Sequence, residues 1–216
     1  DRRGIAVVSL ERLVELPDTA DAVALTFDDA FENFRTEAWP LIRERGHPVT
    51  LFVPTDHVGG SNAWEGAGSR LPRLPLLDWP ALGSIASEGV TIGAHSASHA
   101  HLPEQDSASL AREVDEPADR ILSETGQVAT AFAYPYGEQN ERVRAAVRGR
   151  FPLACTTELR ALGGVEDRHA LPRLDMGYFR GPDSLDAWGA RSFRAYVMLR
   201  NRLRAVRRLI SGSGGL

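Results

Sequence analysis

The chain contains no lysine; its 25 Lys+Arg positions are all arginine. That absence bears on every acidic cluster in it. A phosphoacceptor site, in which strand-end acids hold Mg²⁺, commonly adds a lysine as a point charge for the phosphate, and none is available here. Cysteine is nearly absent as well. With Cys155 alone, no internal disulfide can form, the redox compartment goes unsignalled, and a buried structural thiol is the expected role. No stretch approaches the ~20 consecutive apolar residues of a membrane span. No leader peptide is visible, yet the chain opens on Asp1 rather than Met. Localisation is therefore open: secreted or cell-envelope associated if a leader was removed, cytoplasmic otherwise.

Negative charge is missing from one end. From Ala187 onward there are seven Arg and no acid, which leaves −11 on the rest of a chain whose net charge is −4. Phe193, Tyr196, Val197, Leu199, Leu203, Val206 and Leu209 recur there at helical spacing. The pattern predicts a basic amphipathic accessory helix over 187–210, packed on the domain with its arginines on the wet side. Peripheral contact with an anionic membrane surface is the alternative. Residues 211–216, rich in Gly and Ser, read as a flexible tail. No nucleic-acid partner is expected.

What remains is ordinary for a globular protein: 43% hydrophobic and 25% charged residues in a chain of 216, enough for one sizeable domain over 1–186. A short strand opens Ile5 to Leu16. Val23 to Phe27 reads as a strand, Ala30 to Arg45 as a helix stopped by Gly46-His47-Pro48, and Val49 to Val53 as the next strand. A long loop from Pro54 to Leu77 leads to a helix over Trp79 to Glu88 and a strand over Val90 to Ala94. Asp106 to Thr125 reads as a helix kinked at Pro117, Ala129 to Ala133 as a strand, Glu138 to Arg150 as a helix, and Leu153 to Thr157 and Leu171 to Met176 as strands. Strands alternating with helices predict a parallel α/β sheet with crossover helices.

Chemistry collects where two of these strands stop. Asp28 and Asp29 close the first long run, and His95 and His99 close another. In parallel α/β folds the carboxyl ends of strands face the ligand crevice, so these side chains converge. The two histidines are four apart, which on a helical turn puts them on one face. A catalytic zinc takes three N/O ligands and leaves one position open. One Asp with His95 and His99 completes that set, and the other Asp is then free to act as a base. The plain alternatives are an N-cap with first-turn acids and a solvated histidine face.

Thr26-Phe27-Asp28-Asp29, His95-Ser96-Ala97-Ser98-His99 and Tyr134-Pro135-Tyr136-Gly137 occur in an order that resembles the polysaccharide deacetylases, carbohydrate esterase family four, over roughly residues 5–180. The resemblance implies a distorted (β/α) barrel with fewer than eight strands. It also implies metal-dependent removal of acetyl groups from N-acetylated sugars of a glycan or glycoconjugate. By position it makes Asp28 the general base and Asp29, His95 and His99 the ligands of Zn²⁺ or of another ion such as Co²⁺, Ni²⁺ or Mn²⁺. It places Tyr134, Pro135 and Tyr136 at the substrate and oxyanion, with the Tyr136 N–H as donor. Two departures stand out. Many members begin the third motif with an arginine that pairs with the base, where this chain has Ala131, Phe132 and Ala133; Arg173 is the candidate replacement. Many also carry a late histidine as general acid, and the only one after His101 is His169, whose alternative reading is an exposed loop residue. If no histidine serves, Asp28 returns the proton itself. A catalytically weak or inactive glycan-binding protein and an O-deacetylase are the rival functions.

Overall fold

The computed structural model describes residues 4–212 apart from 18, 65–71 and 182–184, and for 205–212 the helical backbone alone. Part of the long loop and the end of the tail lie outside the described residues.

A short strand β1 (Ala6–Val7), a helical turn α1 (Leu10–Leu13) and strand β2 (Ala22–Val23) form a small parallel pair before the main sheet. The main sheet holds β3 (Leu25–Phe27), β4 (Val49–Val53), β5 (Thr91–Ala94), β6 (Ala131–Ala133) and β7 (Leu153–Cys155), all parallel and neighbours in chain order. Helices α2 (Trp39–Glu44), α3 (Trp79–Ser87), α4 (Ser107–Thr125) and α5 (Glu141–Arg150) supply the crossovers. The result is a curled half-barrel, a distorted (β/α) barrel with fewer than eight strands. The helix termini carry their expected chemistry: Asp78, Asp106 and Asn140 accept from the backbone N–H groups of Ala81, Ser109 and Val143, and Gly126 ends α4 in the left-handed conformation.

Alternation along each strand sorts the core into two sides. Leu51, Val53, Ile92, Ala94, Phe132 and Tyr134 pack outward against the helices. Phe52, Ala131, Ala133, Leu153, Cys155 and Leu171 fill the concave side. Small residues are required there. A Cβ added to Gly93 would lie 2.6 Å from the Phe52 ring.

Several expected elements differ. The Val23 to Phe27 run is divided at Ala24, because β2 pairs with β1 and β3 with β4. The helix expected from Ala30 begins at Glu32 and runs through a π-helix over Phe34–Ala38 into α2. Pro40 has no N–H to donate in the first turn of α2, which suits a change of helical pitch just before it. Leu171 to Met176 is not a strand; only Leu171 bridges Cys155, after which the Arg173 N–H leaves that register and donates to the Glu158 carbonyl. The basic helix α6 (Arg191–Gly212) starts later than expected and its backbone extends past residue 210. Phe193 and Val197 do pack inward with Leu159 and Phe179. Met198, Leu199 and Leu203, however, point outward, so its apolar residues are not confined to one face.

Candidate metal centre and active site

β3 stops at Phe27, and the next residues turn sharply. Asp29 has φ 72° and Ala30 φ 55°, the left-handed region that costs a non-glycine residue about 1–2 kcal/mol. The turn is held by the loop before α3. The Leu77 N–H donates to the Ala30 carbonyl at 2.9 Å, Phe31 bridges Leu76, and the Glu32 N–H donates to the Pro75 carbonyl. One consequence is that neighbouring carboxylates reach different partners. Asp28 meets Arg173, and Asp29 meets the two histidines.

His95 directly follows β5, and its Nδ1 lies 2.7 Å from the Ala133 carbonyl. A carbonyl accepts only, so Nδ1 carries the hydrogen and Nε2 presents a lone pair. That nitrogen is 3.4 Å from Asp29 Oδ1, and His99 Nε2 is 3.5 Å from the same oxygen. The histidines do not share a helical turn. Ser96 and His99 both have positive φ, at 61° and 59°, and the Ser96 hydroxyl accepts from the His99 N–H at 2.9 Å. A compact loop brings the rings together where a helix was expected.

The three donor atoms lie within 4.8 Å of one another, and Asp29 Oδ1 is buried with no hydrogen-bond partner. Bonds of ~2.1 Å at tetrahedral angles separate ligand atoms by roughly 3.4 Å, so this donor set fits a zinc-like ion. The electrostatics of the two histidines run in opposite directions. Burial and the neighbouring His95 push the His99 imidazole down to about 2, which keeps it neutral. Burial opposes charge on His95, but Asp29 and Asp28 outweigh it and raise its pKa.

Asp28 receives both ends of the Arg173 guanidinium, Nη1 to Oδ1 at 2.6 Å and Nη2 to Oδ2 at 2.8 Å. Arg173 Nε donates to the Thr156 carbonyl at 2.9 Å, and the guanidinium lies over the Phe52 ring. Desolvation works against ionising Asp28, yet Arg173, then His95, lower it to about 2. The bridge between Leu171 and Cys155 brings this arginine over the mouth of the half-barrel.

The polysaccharide deacetylase family matches residues 16–149, more than half of the chain. The chain belongs to that family. Its fold is similar to a Streptococcus pyogenes deacetylase, PplD, solved with acetate: TM-score 0.66 at 21% identity, covering 80% of this chain and 74% of that one. It is also similar to IcaB from Ammonifex degensii, with TM-score 0.65 at 22% identity, covering 86% and 81%. A Bacillus subtilis (strain 168) protein named "Putative polysaccharide deacetylase YxkH" is 24% identical over 157 residues, 70% of this chain and 50% of that protein. The chain thus spans about half the length of that curated relative.

Around the cluster of Asp28, Asp29, His95 and His99, the remaining expected residues divide. Tyr136 has φ 59° in the turn Pro135–Gly137, and its ring lies edge-on to His99 at 4.8 Å and flat on His101 at 4.2 Å. Tyr134 is turned away from the site. Its ring is fully buried on the helix side and its hydroxyl donates to the His169 carbonyl. His169 is not brought to the centre either. Its Nε2 lies 3.0 Å from the carbonyl of Phe151, at the amino end of β7, and its Nδ1 is 3.8 Å from an Asp167 oxygen, so its contacts lie at the other end of the strand from the site. Two further side chains lie against the histidine loop, of which Glu113 escaped sequence reasoning. Trp64 stacks on His99 at 4.3 Å, and Glu113 of α4 is buried against the histidine loop. Glu113 was readable as an acid set within the buried stripe Leu110, Val114, Pro117, Ala118 and Ile121.

Proposed function

We propose that the chain is a metal-dependent N-deacetylase acting on an acetamido sugar of a glycan or glycoconjugate. The observation that carries this reading is the Asp29, His95 and His99 donor set beside a separate carboxylate, Asp28, held by Arg173. Those three residues would hold the ion, and their one-oxygen, two-nitrogen chemistry suits Zn²⁺, with Co²⁺, Ni²⁺ and Mn²⁺ as alternatives. When bound, such an ion acts as a Lewis acid and makes water acidic enough to serve as a nucleophile near neutral pH.

The side chains supply the rest. Asp28, kept ionised by Arg173, accepts a proton as water adds to the acetyl carbon. The Tyr136 backbone N–H is assigned to the oxygen that becomes negative in that addition. The carbon–nitrogen bond then breaks, Asp28 returns its proton to the departing amine, and acetate is released. Returning the proton from Asp28 needs no separate histidine acid, which accords with the contacts of His169. The stack of Tyr136 on His101 beside His99 supplies a flat aromatic wall of the kind that packs on a sugar ring.

Acetate release from N-acetylglucosamine oligomers tests the reading, with the protein stripped of metal and then reconstituted with Zn²⁺ or Co²⁺. Release should require the ion and exceed that from O-acetylated sugars. Equal rates with and without metal, or no turnover of any acetylated sugar, would overturn it.

A further inference from the structure

The histidine loop is costly to build. Ser96 and His99 both occupy the left-handed region without being glycine, and such residues cost of order 1–3 kcal/mol each and persist only where their surroundings over-determine them. The loop is also buried: Ser96 and Ala97 are sealed from solvent, and His95 and His99 nearly so. Each buried polar group of its backbone therefore needs a partner.

The carbonyls find theirs in the turn that follows β4. The Thr55 N–H donates to Ser96 O at 3.3 Å and the Asp56 N–H to Ala97 O at 2.9 Å, while His57 Nε2 lies 3.1 Å from Ser98 O. The amides have a different partner. Glu113 is 3% exposed, and its Oε2 accepts from the N–H groups of both Ala97, at 3.0 Å, and Ser98, at 2.8 Å. Its Oε1 accepts from the Ser98 hydroxyl at 2.8 Å and from Arg112 at 3.2 Å. Arg112 then reaches Asp56 at 2.7 Å, which ties the carbonyl clamp to the amide clamp. A buried carboxylate is tolerated only when its acceptor sites are filled, and here two of its donors are main-chain amides inside the segment joining the two histidines.

We propose that Glu113 is a positioning residue for the metal centre: it fixes the 96–98 backbone so that His95 and His99 present Nε2 at the spacing an ion requires. This rests on the metal reading above. Glu113 touches neither the ion's donor atoms nor Asp28 in any hydrogen bond described, so its effect passes through the loop. Outer-shell groups that orient ligands typically change metal affinity by about 10–100-fold.

The test compares the wild-type chain with Glu113→Gln and Glu113→Leu by Zn²⁺ competition against a chromophoric chelator, with the visible spectrum of the Co²⁺ form recorded alongside. Gln keeps one oxygen for both amides and should hold zinc affinity within a few-fold. Leu keeps the volume but accepts nothing, and should weaken zinc binding about 10–100-fold and alter the Co²⁺ bands. Thermal unfolding of the metal-free proteins identifies any variant that has failed to fold. A folded Glu113→Leu protein with wild-type zinc affinity and unchanged Co²⁺ bands would overturn this proposal alone. A wild-type chain that binds no Zn²⁺ would overturn the metal reading and this proposal with it.

Discussion

The two sides of the candidate metal centre are built in opposite ways. On the β5 side, the loop from His95 to His99 has its carbonyls bound by Thr55, Asp56 and His57 and its amides by Glu113, and His95 is keyed by Ala133. On the β3 side, Asp28 is held by one ion pair with Arg173, and Asp29 Oδ1 is buried without a hydrogen bond. Ligands gain from being fixed in advance, whereas a group that must take and return a proton needs a partner that controls its charge and leaves access. The exposures follow that division: the His95 side chain is 3% exposed and the Asp28 side chain 32%.

Breaking the fixed side should have the larger effect. His95→Ala or His99→Ala should abolish metal retention and with it turnover, by at least ~10²-fold, checked by metal analysis of the purified variant and by acetate release. Either variant retaining a full complement of metal would show that the β5 side is scaffolding only. Breaking the other side should separate charge control from metal. Arg173→Ala should keep metal and slow turnover by up to about 10²-fold. With the arginine gone, Asp28 rises from about 2 toward the ordinary carboxylate value of 3.8. Its base form is then lost at higher pH as pH falls, so the acidic limb of the pH–rate profile moves upward. An unmoved limb would remove Arg173 from the account.

Smaller changes sharpen the contrast. Ser96→Ala leaves the buried His99 N–H without its hydroxyl acceptor and should cost about 1–3 kcal/mol by denaturant unfolding. At the other side, Ala30→Gly relieves left-handed strain but gives up a buried methyl, as Ala30 is fully buried. The two effects are of order 1 kcal/mol each and opposed, so stability should change by less than about 1 kcal/mol. A large loss would mean that the β3 turn is held by packing rather than tolerated under strain.

Much of this was legible in the sequence because alternation, caps and strand ends obey local rules. Parallel strands with crossover helices followed from apolar runs alternating with helical stretches, and the stop at Gly46-His47-Pro48 falls just past the end of α2 at Glu44. The missing third-motif arginine directed attention to Arg173, which pairs with Asp28 from a segment 145 residues away. The failures are physical too. Left-handed turns at Asp29, Ala30, Ser96 and His99 carry no glycine to announce them, so a helical turn was the natural reading of two histidines four apart. Tyr134 opens the third motif, and the resemblance alone places it at the substrate. The two-residue period that puts Phe132 on the helix side puts Tyr134 there as well. His169 is a candidate only as the one histidine after His101, and no sequence pattern fixes its direction.

Whether Asp28 and Asp29, adjacent in the chain, do different jobs is decided by metal content measured together with acetate release in Asp28→Asn and Asp29→Asn. Asp28→Asn should keep one ion per chain while turnover falls by roughly 10²–10⁴-fold, the usual contribution of a general base, and Asp29→Asn should lose ion and turnover together. Equal metal loss in both variants, or an Asp28→Asn protein that still releases acetate at the wild-type rate, would contradict that division.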